Sequence, residues 1–468
     1  MVTATSDKKT SRAKSASGAF RRYDAALKYL FSMTDYEQML RVRYNRDTFS
    51  LDRMFRLLKG LGDPQDRIRT VHIAGTKGKG STVEMLSQML IACGYKVGVY
   101  TSPHIVDIRE RIRINHTMIS QAALTRLIST VEPIIEQMGD DKPTFFEIFT
   151  SLAFMYFANE AVDVAVIETG LGGRLDSTNV LKPDVCGLTS ISLDHMHQLG
   201  RTVGLIAKEK AGIFKPDIPA VSVPQRPEVE AVLRSAAKAS KTPLMFAGKE
   251  IDFSYRFESS RATGPQTRVC MTTETSNFEH LPVPLLGEHQ ALNCGLALAL
   301  LDELKKKGFD RITDATAVEG LRQTYLPGRM EMVCRDPRMI ADGAHNAASV
   351  AALMKAIGQN IPYDSMVVVF GCAVDKDIPG MMRELALGAD KIVFTSAGGP
   401  RAAKTRDLAD AFEECTGKTA QVANSVEEAL AIAASAVSRE DIICATGSFY
   451  LVGAVKQILA ARQQQQAS

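Results

Sequence analysis

Residues 71–82, Val71-His72-Ile73-Ala74-Gly75-Thr76-Lys77-Gly78-Lys79-Gly80-Ser81-Thr82, read VHIAGTKGKGST. An apolar run enters a turn holding three glycines and two lysines, then an apolar-rich segment, STVEMLSQMLIACG. The pattern predicts strand, anion-binding loop and amphipathic helix, with Val83, Met85, Leu86, Met89 and Leu90 on the helix stripe. The strict phosphate-loop spelling G-x-x-x-x-G-K-[ST] fails, because Gly80 separates Lys79 from Ser81. The physics of such a loop survives. Gly78 and Gly80 are expected to take positive φ and let the backbone approach an anion. The free N–H groups of the helix start attract negative charge. Lys79 reaches the terminal phosphates, and the Ser81 or Thr82 hydroxyl faces phosphate or magnesium. A plain helix cap at Ser81 explains fewer of these residues.

Outward from the loop, apolar runs alternate with helical patterns: 96–102, 162–170, 184–192, 366–371, 391–397 and 441–447. This predicts an α/β protein with mainly parallel sheets and helices on both faces. The polar interval 250–284 reads as surface hairpins. Pro327-Gly328 breaks the pattern, so the chain of 468 residues is expected to divide there. The expected parts are a tail (1–20), an N-terminal ATPase-type domain (21–326) and a smaller Rossmann-like domain (327–468). The ending QQQQAS reads as a frayed end.

Composition excludes some classes. With 45% hydrophobic and 23% charged residues, the chain is an ordinary globular protein. A net charge of +3 does not argue for nucleic acid or membrane as partner, so any anion site is local. No apolar run spans a bilayer, and the first twenty residues lack a secretory core. A transit peptide is disfavoured by a single arginine, Arg12, and by Asp7. Eight scattered cysteines form no C-x-x-C pair, which fits reduced thiols in a cytoplasmic protein.

Other motifs carry candidate chemistry. In VIETGLGGRLDSTN (166–179), Glu168 ends a strand, where ligands bind in parallel sheets. It suits magnesium; the plainer reading is an ion pair with Arg174. Asp194, His195 and His197 follow another strand, either as metal ligands or as loop polar groups. In TVGLIAKEKAGIF (202–214), Val203, Ile206, Ala207, Ile213 and Phe214 form one helical stripe, and Lys210 falls inside it. A lysine turned inward must be paired or neutral, and a neutral amine is reactive. Thr144 and Glu147 form a capping box, and Phe145, Phe146 and Phe149 read as core. Arg109, Arg111 and Arg113 share a face if their segment is a strand. In DGAHN (342–346), Asp342 and His345 sit where a second-domain site would form, and Arg329 is in reach of a phosphate.

Together, GTKGKGST, TSPH (101–104), TFFE (144–147), ETGLGGRLDSTN, SLDHMHQLG, AKEKAGI, GEHQALN, LPGRMEMV, DGAHN and TGSFYL resemble the folylpolyglutamate synthase/dihydrofolate synthase family of the Mur ligase superfamily. The superfamily's loop carries the extra glycine. The resemblance implies an ATP-dependent ligase joining L-glutamate to dihydropteroate and to reduced folates, through an acyl phosphate. It implies that Lys77, Gly78, Lys79, Gly80, Ser81, Asn293, Arg329 and Asp342 bind nucleotide. It assigns Ser102, Glu168 and His195 to two magnesium sites. Thr144, Phe145, Phe146, Glu147, Leu175, Asp176 and Ser177 would bind the pterin substrate. Lys210 would be carbamylated, and a monovalent cation is a further candidate. Lys79, Lys210, His195, Asp342 and His345 form the expected catalytic group. The expected state is a monomer. Departures lie beside the site: Lys77 stands for a common Asn, His116 for Gly and Ala347 for Pro. The alternatives are a ligase performing chain extension alone, a cell-wall amino-acid ligase and a non-catalytic nucleotide-binding module.

Overall fold

A computed structural model describes residues 20–467 apart from 37, 38, 40–43, 46, 47, 50 and 261–263. The expected N-terminal tail lies outside the described residues up to Phe20. The first sheet has eight strands: β1 (Thr70–Ala74), β2 (Val97–Tyr100), β3 (Ile112–Ile114), β4 (Thr117–Met118), β5 (Val164–Glu168), β6 (Val185–Leu188), β7 (Ala220–Ser222) and β8 (Leu244–Phe246). Their spatial order is β4-β3-β2-β5-β1-β6-β7-β8, parallel from β2 to β8, with an antiparallel edge at β3 and β4. A small antiparallel sheet follows: β9 (Asp252–Ser260), β10 (Gly264–Thr272) and β11 (Asn277–Pro282). This is the expected hairpin region.

The third sheet has six strands: β12 (Glu331–Arg335), β13 (Arg338–Asp342), β14 (Met366–Phe370), β15 (Lys391–Phe394), β16 (Gln421–Val422) and β17 (Ile442–Thr446). It is parallel except for the β12–β13 pair. The helix Asp314–Arg322 completes the first part, and residues 323–330 lead into β12. Separate buried clusters lie on both faces of each large sheet.

Three local expectations are corrected. The helix after the loop, Lys79–Ala92, is not amphipathic. Residues 81–90 are all buried, because the helices His289–Lys306 and Asp314–Arg322 pack on the face that would otherwise meet water. Residues 108–111 form a short 3-10 turn capped by Asp107, and only Ile112–Ile114 is strand. The three arginines therefore share no face. Arg109 pairs with Asp107, Arg111 lies over Phe145, and Arg113 pairs with Glu84 at 2.5 Å. Finally, the C-terminal helix continues through the glutamines to Ala467. Gln and Ala are good helix formers even when exposed.

Candidate active site

The carboxyl ends of both large sheets face one cavity of about 970 Å³. The loop 75–80 forms its floor. Gly75 has φ +152° and Gly78 φ +91°. A Cβ on Gly78 would lie 2.0 Å from Asn293 Oδ1, so only glycine fits. Gly80, expected to share this conformation, is helical instead. Its Cβ would stand 3.7 Å from Glu168 Oε2, which is ordinary contact. The loop is pinned from two sides. Thr76 N and Lys77 N donate to Ser190 O at 2.9 and 3.2 Å, and Lys210 Nζ donates to Gly75 O at 2.7 Å.

Lys210 is 4% exposed. Burial, with Lys79 nearby, lowers its pKa to about 7, so a large share of the amine is neutral at neutral pH. Glu168, also 4% exposed, lies 3.6 Å from Lys79 Nζ and accepts a long bond from Ser102 N at 3.4 Å. Burial pushes its pKa up, against the pull of Lys79. It does not pair with Arg174, which binds Glu209.

Asp194 connects the two parts of the chain. Its carboxylate meets Lys376 Nζ at 3.3 Å, Asn346 Nδ2 at 3.3 Å and His345 Nε2 at 3.9 Å. Burial raises its pKa, but His195, Lys376 and His345 together hold it well below the carboxylate range. His345 Nδ1 donates to Gly343 O at 2.8 Å, and burial lowers its pKa to about 4. His195 lines the cavity wall with its residue surface still exposed, and desolvation by the surrounding groups, with Lys376 nearby, lowers its pKa to about 4. His197 is exposed and takes no part in the cavity lining. Asp342 accepts Met330 N at 2.9 Å and Ala344 N at 2.8 Å, and burial raises its pKa against Arg329. Arg329 lies over the Phe449 ring at 4.8 Å. Lys77 lines the cavity, and burial lowers its pKa to about 8.

The expected substrate residues divide. Thr144, Phe146, Glu147, Leu175, Asp176 and Ser177 line the cavity. Phe145 does not. It is 2% exposed and stacks between Phe31 and Phe149, because its turn of helix points it into the core. The capping box is present, with Thr144 N donating to Glu147 Oε2 at 2.7 Å and Glu147 N to Thr144 Oγ1 at 3.3 Å. Arg53 also grips both Glu147 oxygens, each at 2.8 Å. Sequence reading missed Arg53, Tyr44, whose hydroxyl accepts Leu175 N at 2.9 Å, and Lys376. For Arg53 a signal existed: it falls on the apolar face of the helix Leu51–Gly60. Among the described residues, no three His, Cys, Asp or Glu side chains gather as a metal-holding group.

Two family models match the chain: the Mur ligase middle domain over residues 73–301, and the Mur ligase glutamate ligase domain over residues 328–449. The dihydrofolate synthase/folylpolyglutamate synthase of Bacillus subtilis is 36% identical over 413 residues, covering 87% of this chain and 94% of that protein. The chain belongs to the dihydrofolate synthase/folylpolyglutamate synthase family. The Escherichia coli member is 33% identical over 399 residues, covering 84% of this chain and 86% of its own. Solved structures of the family superpose closely. E. coli FolC in complex with DHPP and ADP gives a TM-score of 0.82 at 29% identity, over 95% of this chain and 99% of that one. The Mycobacterium tuberculosis folylpolyglutamate synthase complexed with ADP and AMPPCP gives 0.83 at 30% identity, over 94% and 99%. The family's two Mur ligase domains thus correspond to the two large sheets that flank the cavity.

Proposed function

We propose that this chain is an ATP-dependent ligase of folate metabolism that adds L-glutamate to 7,8-dihydropteroate and to the glutamate tail of reduced folates. The observation that carries the reading is the shared cavity. A glycine-lysine anion loop, a buried carboxylate and a buried lysine from one part face Arg329, Asp342 and His345 at the other. The chain divides at residues 326/327 into an ATP-binding and a glutamate-ligase domain.

Lys77, Gly78, Lys79, Gly80 and Ser81 hold the phosphates of ATP, and Asn293, Arg329 and Asp342 hold the nucleoside side. The acceptor carboxylate attacks the γ-phosphorus, the bond to ADP breaks, and an acyl phosphate forms. Lys79 and Arg329 offset the charge that develops during this transfer. The glutamate amine then attacks the acyl carbon, and phosphate leaves as the amide forms. His345 and Asp194 stand beside this step across the cleft. Closure of the domains keeps water from the acyl phosphate.

The donor set of Ser102, Glu168 and His195 suits magnesium. Glu168 is a buried carboxylate whose nearest cation is Lys79 at 3.6 Å, with Arg329 acting from farther off, and His195 is held neutral, as a ligand must be. Magnesium, when bound, offsets phosphate charge and polarises the phosphoryl group. The neutral amine of Lys210 suits carbamylation, which would place a negative charge beside Lys79. Thr144, Phe146, Glu147 and Leu175 to Ser177 form the acceptor wall.

Mass spectrometry of products formed from ATP, magnesium, L-glutamate and either acceptor tests the reading. Adducts one glutamate heavier than each acceptor support it; unchanged acceptors would overturn it.

A further inference from the structure

β1 is a central strand with every residue buried. Such strands in parallel sheets are ordinarily apolar throughout. His72 is fully buried in the middle of it, registered against Ile167 and Cys186. Its Nε2 lies 2.8 Å from Thr178 Oγ1. That hydroxyl donates its single proton to Asp176 Oδ1 at 2.5 Å, and Thr178 N donates to the same oxygen at 3.0 Å. Asp176 Oδ2 accepts Leu171 N at 2.7 Å. The hydroxyl proton faces the carboxylate, so towards His72 the hydroxyl accepts. The imidazole must therefore carry its proton on Nε2. Nδ1 has no hydrogen-bond partner among the described residues, as a bare lone pair in an apolar core would have. One directed chain results: His72 Nε2–H to Thr178 Oγ1–H to the Asp176 carboxylate.

We propose that His72 and Thr178 are positioning residues for the acceptor substrate, fixing the Asp176 carboxylate where it lines the cavity. The chain ties the acceptor wall to the strand that carries the phosphate loop, two residues before Ala74. This rests on the reading of Leu175 to Ser177 as acceptor wall. A merely structural histidine would affect folding stability and leave the two substrates equally served. A positioning chain acts on one substrate, because Asp176 touches the acceptor side while the phosphate loop is held separately by Ser190 and Lys210.

The test is steady-state kinetics of the full-length protein with the acceptor varied at saturating ATP, and then the reverse. Thr178→Val and His72→Leu are expected to raise the acceptor KM roughly tenfold or more, with the ATP KM within about twofold of wild type. Thr178→Ser, which restores the hydroxyl, is expected to return the acceptor KM to near the wild-type value. Histidine 15N NMR of the unsubstituted protein, independent of any variant's folding, is expected to find His72 as the neutral Nε2–H tautomer. An active wild type whose folded Thr178→Val variant keeps its acceptor KM overturns the inference alone, as does an Nδ1–H tautomer. A wild type that ligates neither acceptor removes the acceptor-site reading and this inference together.

Discussion

Lys210 and Glu168 are each 4% exposed in a wall that also carries Lys79. Neither would persist as a packing choice, because an apolar residue of like volume costs less to bury. Glu168→Ala is expected to lower product formation roughly a hundredfold or more while far-UV circular dichroism stays unchanged. An active Glu168→Ala protein would sink the metal assignment. Lys210→Ala is expected to lose activity that short carboxylates partly restore; a silent substitution would show that the amine serves only to hold Gly75 O. His72 gives a prediction about pH. Burial lowers its pKa from 6.5 to about 3, so the unfolded chain binds its proton more tightly than the folded one. Its contribution to stability is complete above pH 6.5 and lost as the pH falls towards 3, at about 1.4 kcal/mol per unit of pKa difference. Tm measured from pH 7 to pH 4 should therefore fall less steeply in His72→Gln than in wild type. Parallel curves would mean the ring is not held neutral.

Two glycines of the proposed phosphate loop differ in what they do for it. Gly78 is left-handed and against Asn293, whereas Gly80 is the second residue of a helix with ordinary room around it. Gly78→Ala is expected to weaken ADP binding roughly tenfold or more, since it combines an unfavourable φ with a clash. Gly80→Ala is expected to keep the fold and to gain up to about 1 kcal/mol of helix stability. Calorimetric ADP titration of both variants separates the two cases, and equal losses would refute the distinction. The same elements show what a sequence carries. The alternation of strand and helix, the anion loop and the inward Lys210 were legible because each is set by local periodicity or by glycine at a turn. Gly80 was misjudged because glycine permits positive φ without requiring it. The burial of residues 81–90 was hidden, since two helices distant in sequence cover the face in question. Phe145 reads as core from its own residues, as it is, and only the resemblance placed it in the substrate wall; Phe146, read as core too, lines the cavity, because successive helical residues point about 100° apart. Arg53 and Lys376 act through partners 94 and 182 residues away, and no spacing rule reports such pairs.

At the scale of the whole molecule, the cavity is formed by two sheets whose carboxyl ends meet, and Asp194 is one contact that spans them, as the Lys355–Glu288 ion pair is another. Its Lys376 partner is as enclosed as Asp194 itself, each side chain at 11% exposure, so solvent screens the pair little. Asp194→Asn is expected to lower kcat roughly tenfold or more and to raise ATP hydrolysis relative to ligation, as water enters a less tightly closed cleft. A larger radius of gyration by small-angle scattering would accompany this change; unchanged coupling and radius would show that the contact does not govern closure. The cavity reaches from Asp176 to Arg329 and His345, and this span is the proposed ligation centre. In the proposed reaction, phosphate leaves ATP only as an acceptor is glutamylated. The most direct test of this coupling is phosphate release by the purified protein with ATP, magnesium and L-glutamate, with 7,8-dihydropteroate or tetrahydrofolate as acceptor. Release that depends on each acceptor and matches amide formation one for one is expected. Release indifferent to both acceptors, or none at all, would contradict the proposed reaction.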